Sequence, residues 1–251
     1  MFGNTANPRD DPAWTNGNWL KSRFHFSFAE YWNARNTNFG SLRVMNDDLV
    51  QPHRGFGAHP HRDMEIITYI VQGELTHKDS MGTEESLGRG AIQFMTAGRG
   101  VTHSEHNHGD VPLRFIQTWI QPRARGLKPN YGSCSGKMEK NVLKHLVSSA
   151  QDDSVETPVK INQEVNAFAS ELDLGEKTSF EMTPSQQAYL LCIEGDVKVN
   201  GKQLHKYDAC EITDGGHVEV EATGVEETEH GNVAHFLAFV MNSKGPGRSD
   251  I

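Results

Sequence analysis

At 251 residues the chain exceeds the commonest single-domain size, so one or two domains of about 100–150 residues are expected. A hydrophobic fraction of 36%, with 12 Phe and 4 Trp, supplies a core and argues against disorder. A net charge of −9 without a clustered Lys/Arg face argues against direct nucleic-acid binding, and apolar runs no longer than Ala188 to Ile193 leave nothing to span a bilayer as a helix.

The chain opens on a polar stretch, Met1 to Pro12, with no secretory signal pattern, so a cytoplasmic (or nuclear) location is expected. Strand-like runs follow at Ser41 to Met45, Met64 to Val71, Ala91 to Met95 and Arg114 to Ile120. After a gap they resume at Ala188 to Ile193, Asp196 to Val199, His217 to Glu221 and Ala234 to Val240. Short runs bounded by Gly, Pro, Asn or Asp predict an all-β sandwich or barrel rather than an α/β sheet. Met138 to Ser149 fits either a short helix or a strand.

Pro122 to Pro158 is rich in Gly, Pro, Ser and charge and reads as an inter-domain connection. Domains are therefore expected at 1–130 and 158–251, joined by 131–157. The halves share an outline: Val71-Gln-Gly-Glu-Leu75 in the first corresponds to Ile193-Glu-Gly-Asp-Val197 in the second, which suggests duplicated barrels. Cys134, Cys192 and Cys210 are odd in number and widely spaced, so they are read as reduced thiols with no assigned role.

Histidine is the unusual component. Seven of the 13 fall between His53 and His108. In an extended strand, residues i and i+2 share a face, so His59 and His61 can meet one ion, as can His103 and Glu105. Two such strands supply three imidazoles and a carboxylate, and Gly98 and Gly100 suit a tight turn into the second strand. Glu65 competes with Glu105 for the fourth position. Strand parity favours Glu105, leaving Glu65 to fix the tautomer of a ligating histidine. His106 falls on the opposite face, His108 in a turn and His77 on a neighbouring strand, with surface or supporting roles expected for all three. His145, His205, His217, His230 and His235 lack paired spacing, so no metal is expected in the C-terminal half.

Three neutral imidazoles and one carboxylate around a divalent ion leave a local charge of +1, suited to an anionic oxygen such as an enolate or phenolate. Such a set accepts Fe, Mn, Ni, Cu, Co or Zn.

The two histidine segments, Gly55-Phe-Gly-Ala-His-Pro-His-Arg-Asp-Met-Glu65 and Gly98-Arg-Gly-Val-Thr-His103 with Asn107, resemble the two cupin motifs. The fuller runs, His53 to Ile66 and Met95 to Glu105, resemble the signature of the pirin family, supported by His25-Phe-Ser-Phe-Ala-Glu-Tyr-Trp32, Phe39 to Asn46 and Pro129-Asn-Tyr131. That resemblance implies a bicupin of two jelly-roll-like barrels, N-terminal metal-binding and C-terminal degenerate. It implies iron(II) on His59, His61, His103 and Glu105. It further implies a dioxygenase of the quercetin 2,3-dioxygenase type acting on a small aromatic or flavonol substrate with O2, Glu105 serving also as general base. The alternative it implies is a non-enzymatic, iron-binding, redox-sensing regulator acting through a protein partner.

Overall fold

The computed structural model describes residues 19–136 and 138–243, and Met1 to Pro12 therefore lies outside the described residues. Among the described residues there are 21 strands and no helix, hence none long and apolar enough to cross a membrane. The chain divides into two compact units.

The first unit holds residues up to 136 together with Pro158–Gln163. Its strands are β1 (Leu20–Phe24), β2 (Leu42–Val50), β3 (Arg54–His61), β4 (Glu65–Gln72), β5 (Leu75–Asp79), β6 (Glu84–Leu87), β7 (Ile92–Thr96), β8 (Val101–Asn107), β9 (Leu113–Ile120) and β10 (Asn130–Cys134), with β12 (Val159–Ile161) added from the later segment. Strands β1 to β10 form two antiparallel sheets, in the order β1-β2-β9-β4-β7-β10 and β3-β8-β5-β6. β4 reads Glu-Ile-Ile-Thr-Tyr-Ile-Val-Gln and is buried on both faces up to its last residue, the expected consequence of a β-branched central strand. β8 alternates instead, with Val101, His103, Glu105 and Asn107 inward. An apolar cluster of Ile70, Leu75, Leu87, Leu113 and Phe115 fills one end of this sandwich.

The second unit begins at Met138 and leaves out Pro158–Gln163. It contains β11 (Lys144–Ser149), β13 (Val165–Leu172), β14 (Lys177–Met182), β15 (Gln186–Glu194), β16 (Asp196–Val199), β17 (Lys202–Leu204), β18 (Ala209–Ile212), β19 (Gly216–Gly224), β20 (Glu226–Thr228) and β21 (Gly231–Asn242). One sheet runs β11-β13-β21-β15-β18 and the other β14-β19-β16-β17. This is the strand order of the first unit again, and the two matched Gly turns are its clearest trace. Gly73 and Gly195 both have φ near +70° (73° and 66°), and a Cβ on either would lie 2.8 or 2.5 Å from a facing carbonyl oxygen. Of Met138 to Ser149, the part from Lys144 to Ser149 is strand and none is helix: β11 pairs with β13, with a bulge between His145 and Val147.

Candidate metal centre

The second sheet of the first unit presents its inward face as a row of polar side chains. β3 pairs with β8 so that His59 faces His103, and a bulge between Phe56 and His59 adjusts the register there. Close approach of the two strands depends on Gly55, where a Cβ would fall 2.3 Å from the carbonyl oxygen of Glu105. The turn into β8 uses Gly98 (φ 45°) and Gly100 (φ 136°), as their spacing suggested.

The three imidazoles form a tight triangle, with ring centroids 4.8 Å apart for His59–His61, 4.5 Å for His59–His103 and 4.9 Å for His61–His103. One nitrogen from each lies within 4.8 Å of the others. Glu105 forms a second such group with His103 and His77. His103 therefore belongs to both.

These side chains fit a metal ion on three counts. Nε2 of His103 is buried and has no hydrogen-bond partner, a costly arrangement unless something else takes its lone pair. Nδ1 of His59 lies 2.8 Å from the carbonyl oxygen of Gly57, which can only accept, so Nδ1 carries the proton and Nε2 is left bare. Burial, reinforced by the neighbouring imidazoles, lowers the pKa of His61 to about 4 and that of His103 to about 3, so both are neutral at pH 7, as a metal-binding imidazole must be.

Glu105 is buried and heavily hydrogen-bonded. Thr68 Oγ1 and Gln93 Nε2 each donate to Oε1 at 3.2 Å, and Gln117 Nε2 donates to Oε2 at 2.7 Å. The orientation of the Gln117 amide is itself fixed. Trp119 Nε1 donates to Gln117 Oε1 at 3.2 Å, so its NH2 is turned toward the carboxylate, while the single proton of the Tyr131 hydroxyl lies between Glu85 Oε2 at 3.0 Å and Gln93 Oε1 at 3.1 Å. Three of its roughly four acceptor positions are thus taken.

Sequence reasoning missed this support. Asn46, Gln117, Thr68 and Gln93 are successive cross-strand neighbours on β2, β9, β4 and β7, one polar row across an apolar sheet. They come from four different strands, and only the register gathers them. His77 and Asp79 were legible by the same i, i+2 rule that found His59 and His61. His77 is 0% exposed, stacks on Tyr131 at 4.5 Å and bonds Asp79 through Nε2 at 3.0 Å. Burial works against the ionised form of Asp79, yet bonds from His77 and from the backbone N–H groups of Thr83 and Met81 hold its carboxyl below the ordinary carboxylate range.

The expectation for Glu65 needs correction. Its carboxylate accepts from Thr96 Oγ1 at 2.9 Å and from Asn162, not from a histidine, and burial raises its pKa. Parity counted from His61 does not reach it, because Asp63 turns the chain with φ 50° and Glu65 opens β4 in the other sheet.

Beside the histidines lies a cavity of about 250 Å³, walled by Phe24, Phe28, Phe56 and Trp119 and floored by Ser22, Asp48, Glu105 and Gln117. Asp48 is buried and accepts a hydrogen bond from Ser22. Burial, less the effect of that bond and helped by the charges of Asp47 and Glu105, raises its pKa to about 7.

In the second unit, Glu171, Glu194 and His235 are buried within 4.8 Å of one another on adjacent strands. His235 Nδ1 bonds Glu194 at 2.9 Å, and His230 Nδ1 lies 3.3 Å from Glu171. Spacing gave no sign of this group because its members come from three strands. Cys192 and Cys210 are buried in the core of the same unit, and burial pushes the Cys210 thiol up to about 12.

Two antiparallel sandwiches of one strand order, the first with a histidine-lined inner face, define a bicupin. Residues 8–120 match the Pirin family and residues 146–229 the Quercetinase C-terminal cupin domain. A pirin-like protein of Caulobacter vibrioides is 36% identical over 229 residues, covering 88% of this chain and 95% of its own. Quercetin 2,3-dioxygenase of Escherichia coli K12 is 33% identical over 213 residues, covering 84% and 90%. The crystal structure of the bacterial pirin YhhW from Escherichia coli in complex with nickel(II) superposes with a TM-score of 0.79 at 29% identity, covering 92% and 97%. The chain belongs to the pirin family.

Proposed function

We propose that this chain is a metal-dependent oxygenase that cleaves flavonols such as quercetin with dioxygen. The observation that carries the reading is the meeting of a three-histidine triangle and a buried carboxylate with an aromatic-walled cavity. Relatives at about a third identity that are named quercetin 2,3-dioxygenase support it. His59, His61, His103 and Glu105 would hold a divalent transition ion, iron(II) being the one the family resemblance implies; when bound, it would supply Lewis acidity toward a phenolate oxygen and a redox path to dioxygen.

The chain's own residues do the rest. Phe24, Phe28 and Trp119 offer faces and edges to a flat aromatic ring and exclude water from it. Glu105 takes the proton of the flavonol 3-hydroxyl, and the phenolate so formed is the anionic oxygen that a local charge of +1 favours. Because three donors already crowd Glu105, accepting this proton requires one of them to turn away. Gln117, which lines the cavity, is placed to do so.

The test is aerobic turnover of quercetin by protein reconstituted with iron(II), with detection of carbon monoxide. Loss of flavonol with stoichiometric carbon monoxide is expected. Unchanged quercetin under every metal tried would overturn the reading.

A further inference from the structure

The inference concerns how His103 is kept in the right tautomer, and it rests on the reading that His103 binds the ion. β5 runs beside β8 with Asp79 opposite His103 and His77 opposite Glu105. Nδ1 of His103 lies 3.5 Å from Nδ1 of His77, and Nε2 of His77 lies 3.0 Å from Oδ2 of Asp79. The other oxygen of Asp79 accepts from the backbone N–H groups of Met81 at 2.8 Å and Thr83 at 3.1 Å.

Proton bookkeeping gives this chain a direction. A carboxylate only accepts, so a His77 ring with one proton carries it on Nε2, pointing at Asp79. Nδ1 of His77 is then a bare acceptor, and the facing Nδ1 of His103 must be the donor. That leaves the proton off Nε2 of His103, the buried nitrogen with no hydrogen-bond partner. The opposite tautomer would place a proton where a metal must bind. We propose that Asp79 sets the tautomer of His103 through His77, so that Asp79 and His77 are positioning residues of the metal centre. Stacking on Tyr131 holds the His77 ring in the plane this requires.

Asp79→Asn is the incisive variant. Its side-chain oxygen can still accept from Met81 and Thr83, so the turn is kept, while its NH2 now donates to Nε2 of His77. The whole chain reverses, and His103 is left with its proton on Nε2. Nitrogen-15 imidazole spectra of the metal-free protein should show His103 protonated on Nδ1 in the wild type and on Nε2 in Asp79→Asn. Cobalt(II) affinity, measured by chelator competition, should fall about 10–100-fold in Asp79→Asn with little change in thermal unfolding. His77→Phe, which keeps the stack but removes the acceptor, should weaken cobalt(II) similarly. A wild-type His103 protonated on Nε2, or wild-type cobalt(II) affinity in both variants, would overturn the proposal. Should the wild type take up no cobalt(II), the metal reading itself falls, while the tautomer of the metal-free protein still decides the relay.

Discussion

The two units place very different side chains on one strand order. In the first, His59 faces His103 across β3 and β8, and His77 faces Glu105 across β5 and β8. At the corresponding register of the second, Phe180 faces Val218 across β14 and β19, and Val199 faces Val220 across β16 and β19. The opposing sheet repeats the contrast: the polar row Asn46, Gln117, Thr68 and Gln93 is matched by Phe168, Ala238, Leu190 and Cys210. The second unit spends its interior on an apolar cluster that includes Leu190, Val218, Val220 and Phe236. The first gives up that packing for a network in which Glu105 alone takes three side-chain hydrogen bonds. A polar interior of this kind persists only when its members satisfy one another, and that is how a site can be recognised inside a barrel.

The largest effect expected of breaking this contrast is at His103, which belongs to both metal-capable groups of the first unit. His103→Ala should leave no stoichiometric metal while circular dichroism stays that of a β-protein. Full metal occupancy in that variant would show that the ligand set is wrong. Glu105→Gln keeps an oxygen near the ion and removes the basic carboxylate. Flavonol turnover should fall about 10²–10⁴-fold with metal retained at least in part, as rate and metal analysis would show. A near-normal rate would remove Glu105 as the base.

The second unit offers the converse change. Val218→His puts an imidazole at the position equivalent to His103 but into an apolar surround, and should cost about 1–3 kcal/mol for the unpaired polar group. Denaturant unfolding of the variant would measure it, and an unchanged midpoint would mean the second interior is less dry than its residues imply.

The smallest effect concerns Asp48. Its pKa is raised to about 7 in the folded state, against an ordinary value of 3.8, so between these the folded protein holds a proton the unfolded chain has released. The folded state accordingly loses stability as pH rises through that window. Asp48→Asn removes the penalty, and its melting temperature should exceed that of the wild type at pH 8, a margin that vanishes near pH 4. An equal margin at both values would deny the shift.

Much of this was legible in the sequence for a physical reason. Period-two alternation and glycine turns announce strands, and the same period put His59 with His61 and His103 with Glu105. What was not legible depends on register between distant strands. Thr68 and Gln93 each look like an isolated polar residue between apolar neighbours, Gln117 like half of a Gln-Thr pair, and Glu171, Glu194 and His235 have no spacing in common. His77 and Asp79 followed the legible rule but were passed over because His77 was weighed alone. The misplacement of Glu65 came from extending strand parity through a turn.

The central claim is that the first interior, and not the second, holds the ion. Crystals of protein loaded with iron(II) or nickel(II), examined by anomalous scattering at the metal edge, test it most directly. One ion per chain, coordinated by His59, His61, His103 and Glu105, is the predicted result; an ion at Glu171, Glu194 and His235, or none among the three histidines, would contradict it.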